Sequence, residues 1–525
     1  MLTNFDIVLE YIKRNRLRLI DEDIKTNVQD SKFLDIVFLI SSQISKYLYQ
    51  YLSINDIKNM NMVSKTTHNA GQQLRDVCDI NIKKIIDEYK DGDKIINFRN
   101  IYIKDYDEFN VSSYIHVFNV EYVTSMTIYE NLSNDTLKFI NLREIVFSRM
   151  LRSKYDISYL GSLKFLEVIK FDFLYYEDLS VLKEIKNLKV LKLFINKNNS
   201  SIIKDLKNLE ELNLIYPSYD RTNDEFTITL QKNLKTFVFM DQEFANYKNS
   251  ANYLIDFERC ERLKHVTFGT ENSPIVNPIG LGNVRTLILK NCKHVLNDDN
   301  AKFLTNVISL NINSKNGYDC DVQYIRYMTS LKYLYFNKVY ITSDMNAISS
   351  IKTLRSLSLS TSIYTDSLAD GLVRLTSLTS LYLEFSFMDN AKFIGSLVHL
   401  QHLKLNDFFN RSIKFLKDLP LKTIKFGIVF NKDINDMPST LEEIVFGQMF
   451  NKKIDRLKDI KNLRSLTLGK DFSESLIPLS TLEHFDTLII NHTKKDISKH
   501  SDYGTYKYVR DIPLIKNLKT LSTKE

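Results

Sequence analysis

Residues 400–405 read LQHLKL, residues 421–426 LKTIKF, residues 441–446 LEEIVF and residues 463–468 LRSLTL. Apolar residues hold the first, fourth and sixth places of each segment. The fourth and sixth alternate as the inward residues of a strand do, and the first turns the chain inward before it, so all three share one core. One such segment alone cannot bury them. Stacked copies can, because each apolar side chain contributes roughly 1.5–3 kcal/mol on full burial and each strand hydrogen-bonds to the strand of the next copy.

Outward from these four segments the pattern LxxLxL, with Ile, Val, Phe or Met allowed at the apolar places, returns along the chain. With Leu400 and Leu463, clear copies begin at Leu188, Leu209, Leu354 and Leu378, while those at Leu421 and Leu441 are looser. Other looser ones begin at Phe98, Val123, Leu142, Leu166, Leu234, Leu263, Val284, Val307, Leu331, Phe485 and Leu518, which makes 19 in all. Starts are mostly 19 to 25 residues apart, with gaps of 29 before Leu263 and 33 before Leu518. This is the leucine-rich-repeat period. The expected fold is α/β: a leucine-rich-repeat solenoid over residues 92–525 with parallel strands on its concave face, preceded by a helix in residues 1–37 and an α-helical module in residues 38–91.

A second register runs through the C-terminal half. Nine residues after the triplet start, seven consecutive coils carry a bulky apolar residue: Tyr340, Ile363, Phe387, Phe409, Phe430, Phe450 and Phe472. Asn410, Asn431 and Asn451 follow three of them, and Gly427, Gly447 and Gly469 follow the triplets. The expectation is an aromatic spine inside the coils, with glycine freeing the backbone to turn after the strand. Over residues 400–475 these FG-x-x-FN units resemble the FNIP type of leucine-rich repeat. The asparagine usual eight residues after the triplet start is present as Asn196, and Cys292 takes that place in another coil, where it is expected to be a buried structural thiol.

Residues 1–97 lack the triplet. Residues 40–67 read ISSQISKYLYQYLSINDIKNMNMVSKTT, with Ile44, Tyr47, Leu48, Tyr51 and Leu52 at helical spacing. Ser53 and Asp56 can cap a following helix whose apolar face is Ile57, Met60 and Val63. The segment resembles the F-box, whose pattern LPxEIxxxIxxYLxxxDLxxxxxVSKxW aligns without a gap. Ile40, Ile44, Leu48, Tyr51, Leu52, Asp56, Ile57, Val63, Ser64 and Lys65 match in kind, while Ser41 stands where Pro is usual and Thr67 where Trp is usual. The resemblance implies an adaptor-binding face of Ile40, Ile44, Leu48, Tyr51, Leu52, Ile57, Met60 and Val63. Its partners would be a Skp-type adaptor and, through it, a cullin ubiquitin ligase. Read from the residues alone, 38–90 can also be a helical cap that shields the first coil, which a solenoid needs. Residues 5–20 read as a packing helix with a solvated basic face.

Composition narrows the function classes. The chain has 525 residues, 44% hydrophobic and 26% charged, with net charge +7, so it can bury a large core. Cys78, Cys260, Cys292 and Cys320 form no CxxC pair, which fits a reducing compartment and argues against a zinc ribbon. No run approaches the roughly 18 apolar residues of a membrane span. The expected protein is soluble, cytoplasmic or nuclear, and has no membrane partner.

No phosphate-binding loop, HExxH or GxSxG occurs, and Gly280-Leu281-Gly282 lacks the third glycine of a dinucleotide fingerprint. His399 and His402 have no acidic or Cys partner at ligand spacing. No catalytic residue, metal or cofactor is therefore expected, and without a basic stripe interleaved with stacking aromatics, nucleic acid is not the expected partner.

On the concave face, residues two and four after each start project outward: Val190 and Lys192, Tyr333 and Tyr335, Ser380 and Tyr382, His402 and Lys404, with Glu384 just beyond its strand. Tyr333, Tyr335, Tyr382, Glu384, His402 and Lys404 form the expected binding face for a target protein, since aromatic rings contribute contact area with few rotors to freeze. The plain alternative is that Tyr simply suits strands. The whole reads as a substrate receptor of a Skp-cullin-F-box ubiquitin ligase or, with the helical module as a cap only, as a repeat scaffold for protein interactions. The polar stretch from Asn491 to Asp511 is expected to loop out of the last coils.

Overall fold

The computed structural model describes residues 100–103, 121, 123–128, 139–148, 157–173, 175, 178–217, 225–241, 253–269, 275–292, 295–342, 345–360, 367–384, 391–491 and 511–523. The expected helix in 1–37, the F-box-like module in 38–91 with its entire adaptor-binding face, Ile363, Phe387 and residues 492–510 lie outside the described residues. The chain divides into two compact units, Met1–Asp220 and Arg221–Glu525.

In the first unit every triplet becomes a strand that begins two residues after its first residue. These are β1 (Asn100–Ile103), β2 (Ser125–Ile128), β3 (Glu144–Phe147), β4 (Val168–Phe171), β5 (Val190–Phe194) and β6 (Glu211–Tyr216). All pair in parallel with the strand of the next coil, so Met126, Ile145, Ile169, Leu191 and Leu212 stand in one row. That row is buried, as is the row two residues further on that begins with Ile128 and Phe147. The residues between are half-buried or exposed, which is the alternation a one-faced strand requires.

The second unit repeats the device. Its strands are β7 (Phe226–Thr229), β8 (Thr236–Asp241), β9 (Tyr253–Asp256), β10 (His265–Gly269), β11 (Ile275–Asn277), β12 (Thr286–Lys290), β13 (Ser309–Asn313), β14 (Asp319–Cys320), β15 (Tyr333–Asn337) and β16 (Tyr340–Ile341). They continue with β17 (Ser356–Ser360), β18 (Ser380–Leu383), β19 (His402–Lys404), β20 (Thr423–Lys425), β21 (Glu443–Val445), β22 (Ser465–Leu468), β23 (Thr487–Ile490) and β24 (Thr520–Thr523). The strands that carry a triplet form one parallel sheet: β8, β10, β12, β13, β15 and β17 to β24. Leu357, Leu381 and Leu403 are register partners in it, all buried. The return side of several coils closes on 3-10 turns such as Gln323–Tyr327 and Asp455–Asp459, which drive Ile325 and Leu457 into the core, and that of others on short α-helices such as Asp298–Ala301 and Asn346–Ser349.

Two small sheets carry no triplet. Strands β7, β9 and β11 pair in parallel beside the first coils of this unit, and β14 pairs with β16. The former explains the long gap before Leu263: β9 occupies part of it and buries Tyr253 and Ile255 beneath an aromatic cluster of Phe237, Phe239, Phe257 and Phe268.

The aromatic spine exists in four coils. Phe409, Phe430, Phe450 and Phe472 are buried and follow one another at centroid distances of 6.1, 6.1 and 6.3 Å with near-parallel rings. Phe426 and Phe446 of the triplets stack beside this spine, each on the spine phenylalanine of its own coil, 4.0 Å from Phe430 and 3.7 Å from Phe450. Tyr340 departs from the expectation, for it is 43% exposed while its neighbours Val339 and Ile341 are buried. Lys338 holds a left-handed φ of 52°, which reverses the chain within one residue, so the first inward position comes one residue earlier than in the phenylalanine coils. Asn291, with φ 58°, does the same for Cys292, whose buried thiol donates to the Lys290 carbonyl at 3.1 Å.

The glycines after the triplets have a different role from the expected one. Among the described glycines only Gly317 has positive φ, so Gly427, Gly447 and Gly469 are not needed for an unusual backbone angle. They are needed for close approach: a Cβ on Gly447 would stand 1.9 Å from the Gly427 carbonyl oxygen, and one on Gly469 would stand 2.0 Å from that of Gly447.

Asparagines tie coil to coil at two places. The side-chain carbonyl of Asn410 accepts from the Asn431 amide, that of Asn431 from the Asn451 amide, and that of Asn451 from the Ser473 amide, each at 3.0 Å. Directly before the triplet, Asn141, Asn187 and Asn208 in the first unit and Asn283, Asn306 and Asn517 in the second donate to a backbone carbonyl of the preceding coil at 2.7–2.9 Å.

Candidate functional site

Because burial alternates along most of the triplet strands, the second and fourth residues after each start form the outer face of the sheet; in β24 the alternation fails, with Leu521 37% exposed. In the second unit register fixes which side chains are neighbours there. One row runs Tyr333, Ser356, Ser380, His402 and Thr423, and the next runs Tyr335, Ser358, Tyr382, Lys404 and Lys425. The outward places of β17 are held by the buried Ser356 and the half-buried Ser358 and Ser360. Tyr335 and Tyr382 therefore stand two strand spacings apart, about 9.5 Å at their Cα atoms, with the small Ser358 as the floor between them. Tyr333 is 42% exposed, and Tyr335 and Tyr382 are half-buried.

Charges on this face are paired across neighbouring coils. Lys404 donates to Glu384, and Lys425 reaches Glu443 at 3.2 Å. The hydrogen bond from Lys404 holds the Glu384 carboxyl below the usual glutamate range against the opposing effect of desolvation, with the lysine charge and Ser360 adding to the lowering. His402 shares a hydrogen bond of 2.9 Å between its Nδ1 and the Thr423 hydroxyl. The six residues named from the sequence thus share one surface: Tyr333 and Tyr335 on β15, Tyr382 on β18 with Glu384 one residue beyond its end, and His402 and Lys404 on β19. The serine strand between them was missed, although its signal, three serines at alternate places in LRSLSLS, is plain once the outer face is known.

The outer face of the first unit is more charged. Lys170 pairs with Glu144 at 2.7 Å, and Lys192, next to the half-buried Val190, pairs with Asp172 at 2.6 Å. The same unit holds a polar cavity of about 250 Å³ lined by Tyr175, Asp178, Ser180, Lys183 and Asn199 among others. Its charges are satisfied locally: Lys183 reaches Asp205 at 2.7 Å and Asp178 accepts from the Ser180 amide and hydroxyl.

Nucleophilic and metal chemistry finds little support among the described residues. Burial pushes the Cys260 thiol up to about 12 and the Cys320 thiol up to about 11, so neither is a thiolate near neutrality. Among the described residues no group of three or more His, Cys, Asp or Glu is placed to hold a metal ion, and no helix is long and apolar enough to cross a membrane.

No family model matches the chain, and no curated protein matches it in sequence. It is similar in structure to a leucine-rich-repeat protein of Leptospira interrogans, with TM-score 0.48, 16% identity and coverage of 78% of this chain and 98% of that one. An internalin of Listeria monocytogenes gives TM-score 0.31 and 17% identity over 70% of this chain and 87% of that one. Toll-like receptor 13, solved as a complex with single-stranded RNA, gives TM-score 0.42 and 14% identity over 79% of this chain and 72% of that one.

Proposed function

We propose that this chain is a protein-binding adaptor whose repeats hold a target on the outer face of the second unit's sheet and whose F-box-like segment delivers it to a Skp-cullin ubiquitin ligase. The observation that carries the first half is the pair Tyr335 and Tyr382 about 9.5 Å apart over the Ser358 floor. Such a trough admits a side chain or an extended segment, and its rings can bury contact area at small entropic cost. Paired charges around it set register and exclude wrong partners more than they add affinity. The second half rests on the F-box resemblance of residues 40–67, which implies an apolar docking face of Leu48, Leu52, Ile57 and Val63. The chemistry of ubiquitin transfer then resides in the partners.

The test has two arms. A photoreactive residue in place of Tyr335 is expected to give protein adducts that the Tyr382→Ala change removes, while the same residue at Lys458, on the return side, does not give them. Equal adducts at both positions would refute the target face. Independently, the wild-type chain is expected to co-purify with a Skp-type adaptor and the Leu52→Asp, Val63→Asp double variant to lose it. Wild type that does not bind, or a variant that binds equally, leaves a repeat scaffold with a helical cap. Ser41 and Thr67, which depart from the F-box pattern, favour that second reading.

A further inference from the structure

A second surface lies away from the outer sheet face, at the edge where the chain leaves the strands of the coils that begin at Leu400, Leu421 and Leu441. Phe408 is 63% exposed, Met449 46% and Ile428 40%, while Val429 is half-buried. These residues are in register. The Val429 amide donates to the Asp407 carbonyl at 3.0 Å, the Met449 amide to that of Ile428 at 2.9 Å and the Asp471 amide to that of Gln448 at 3.0 Å. Phe408, Val429 and Met449 therefore form one apolar ridge, each directly before the inward phenylalanine of its coil.

Three residues further on, the same coils carry Arg411, Lys432 and Lys452, with Lys453 beside the last. The Asn410, Asn431 and Asn451 ladder fixes the chain immediately before them, so they form a second, basic ridge. Three residues of chain reach at most about 10 Å, so the two ridges run side by side. Asp433 opposes Lys432, with Lys453 at the matching place of the next coil offsetting it, and the exposed Asp407 stands directly before Phe408. Both ridges stop together at the following coil, where Asp471 and Glu474 take the two positions.

We propose that this edge docks an acidic amphipathic helix of a partner protein, with apolar side chains on the first ridge and carboxylates against the second. The spacing selects a helix over a strand. Coils repeat at about 4.8 Å, a helix returns to the same face every 5.4 Å or so, and a strand every 6.6–6.8 Å or so. Over three coils the mismatch is about 1.2 Å for the helix and about 4 Å for the strand. The partner sign follows from Lys432, Lys452 and Lys453, which complement carboxylates and repel a basic segment.

The full chain would be titrated by fluorescence anisotropy into a labelled synthetic peptide of roughly four helical turns, with leucine at every third or fourth place and glutamate beside each. Saturable binding is expected, weakening with salt and falling by about tenfold or more in Met449→Asp and in the Lys432→Glu, Lys452→Glu double variant. A lysine-for-glutamate peptide and a proline-interrupted one should not bind. All changed positions are at the surface, and melts coincident with wild type verify folding. The Tyr335→Ala, Tyr382→Ala double variant should bind the peptide normally, so failure here leaves the outer-face reading untouched and the converse holds as well. The proposal is overturned by absence of saturable binding, by equal binding of the proline-interrupted peptide, by variants that bind as wild type does, or by a preference for anionic phospholipid vesicles over the peptide.

Discussion

Replacing Gly447 by alanine should be among the most damaging single-methyl additions in the second unit. The added Cβ would lie 1.9 Å from the Gly427 carbonyl oxygen, 2.5 Å from its carbon and 2.8 Å from the Ile428 Cα. All three are backbone atoms, so no side chain can swing away. Ordinary contact needs about 3.4 Å or more, so the two coils must part locally by at least about 1 Å. That motion stretches the bond from the Met449 amide to the Ile428 carbonyl, now 2.9 Å, beyond hydrogen-bonding range and strains the Asn431 to Asn451 rung at 3.0 Å. It also opens the Phe426–Phe446 stack, now 5.4 Å between centroids.

Two weakened hydrogen bonds at roughly 1 kcal/mol each, with loosened packing of comparable size, give a loss of about 3 kcal/mol. Urea unfolding followed by far-ultraviolet circular dichroism reads it, since the chain has no Trp. A variant within about 0.5 kcal/mol of wild type would refute the close-approach argument, because that is the size of an ordinary surface change.

Three further outcomes follow from the same structure. Asn431→Ala should destabilise by about 1–3 kcal/mol, since it leaves the Asn451 amide without its acceptor, whereas Asn431→Asp keeps an acceptor and should cost less than half as much; equal losses in urea would count against the ladder. In a Cys78→Ser chain, a thiol reagent at pH 8 should leave native Cys260, Cys292 and Cys320 unmodified and label all three in denaturant, because all are buried; rapid labelling of the native protein would contradict this. Because the Glu384 carboxyl is held below 4.5 in the folded state, its ion pair with Lys404 contributes above that value and is lost as pH falls through the lowered native value. With both side chains 41% exposed the contribution is at most a few tenths of a kcal/mol. Glu384→Gln should therefore lie close to wild type at neutral pH and converge with it in acid, and a difference that grows on acidification would reverse the assigned sign.

What the chain's letters decide alone is the coil. Period-two burial after a leading apolar residue is a local property, so every triplet named from the sequence carries a strand that starts two residues in, and Leu357, Leu381 and Leu403 meet in one interior. The outward positions follow from the same alternation, so the sequence spacing alone implies one face for Tyr333, Tyr335, Tyr382, His402 and Lys404. What lies between coils is not local. That Val339, and not Tyr340, takes the inward place goes with a left-handed Lys338, which no spacing rule reveals.

The role of Gly427, Gly447 and Gly469 is a distance between backbones that only stacking creates, and the asparagine rungs bind residues some twenty apart that become neighbours through the coil pitch. The paired ridges of Phe408, Val429 and Met449 beside Arg411, Lys432 and Lys452 are likewise unremarkable in sequence. Hydrophobic period is written in neighbouring residues, whereas close approach, rungs and ridges are written in the superposition of one coil on the next, and that superposition exists only in the folded molecule.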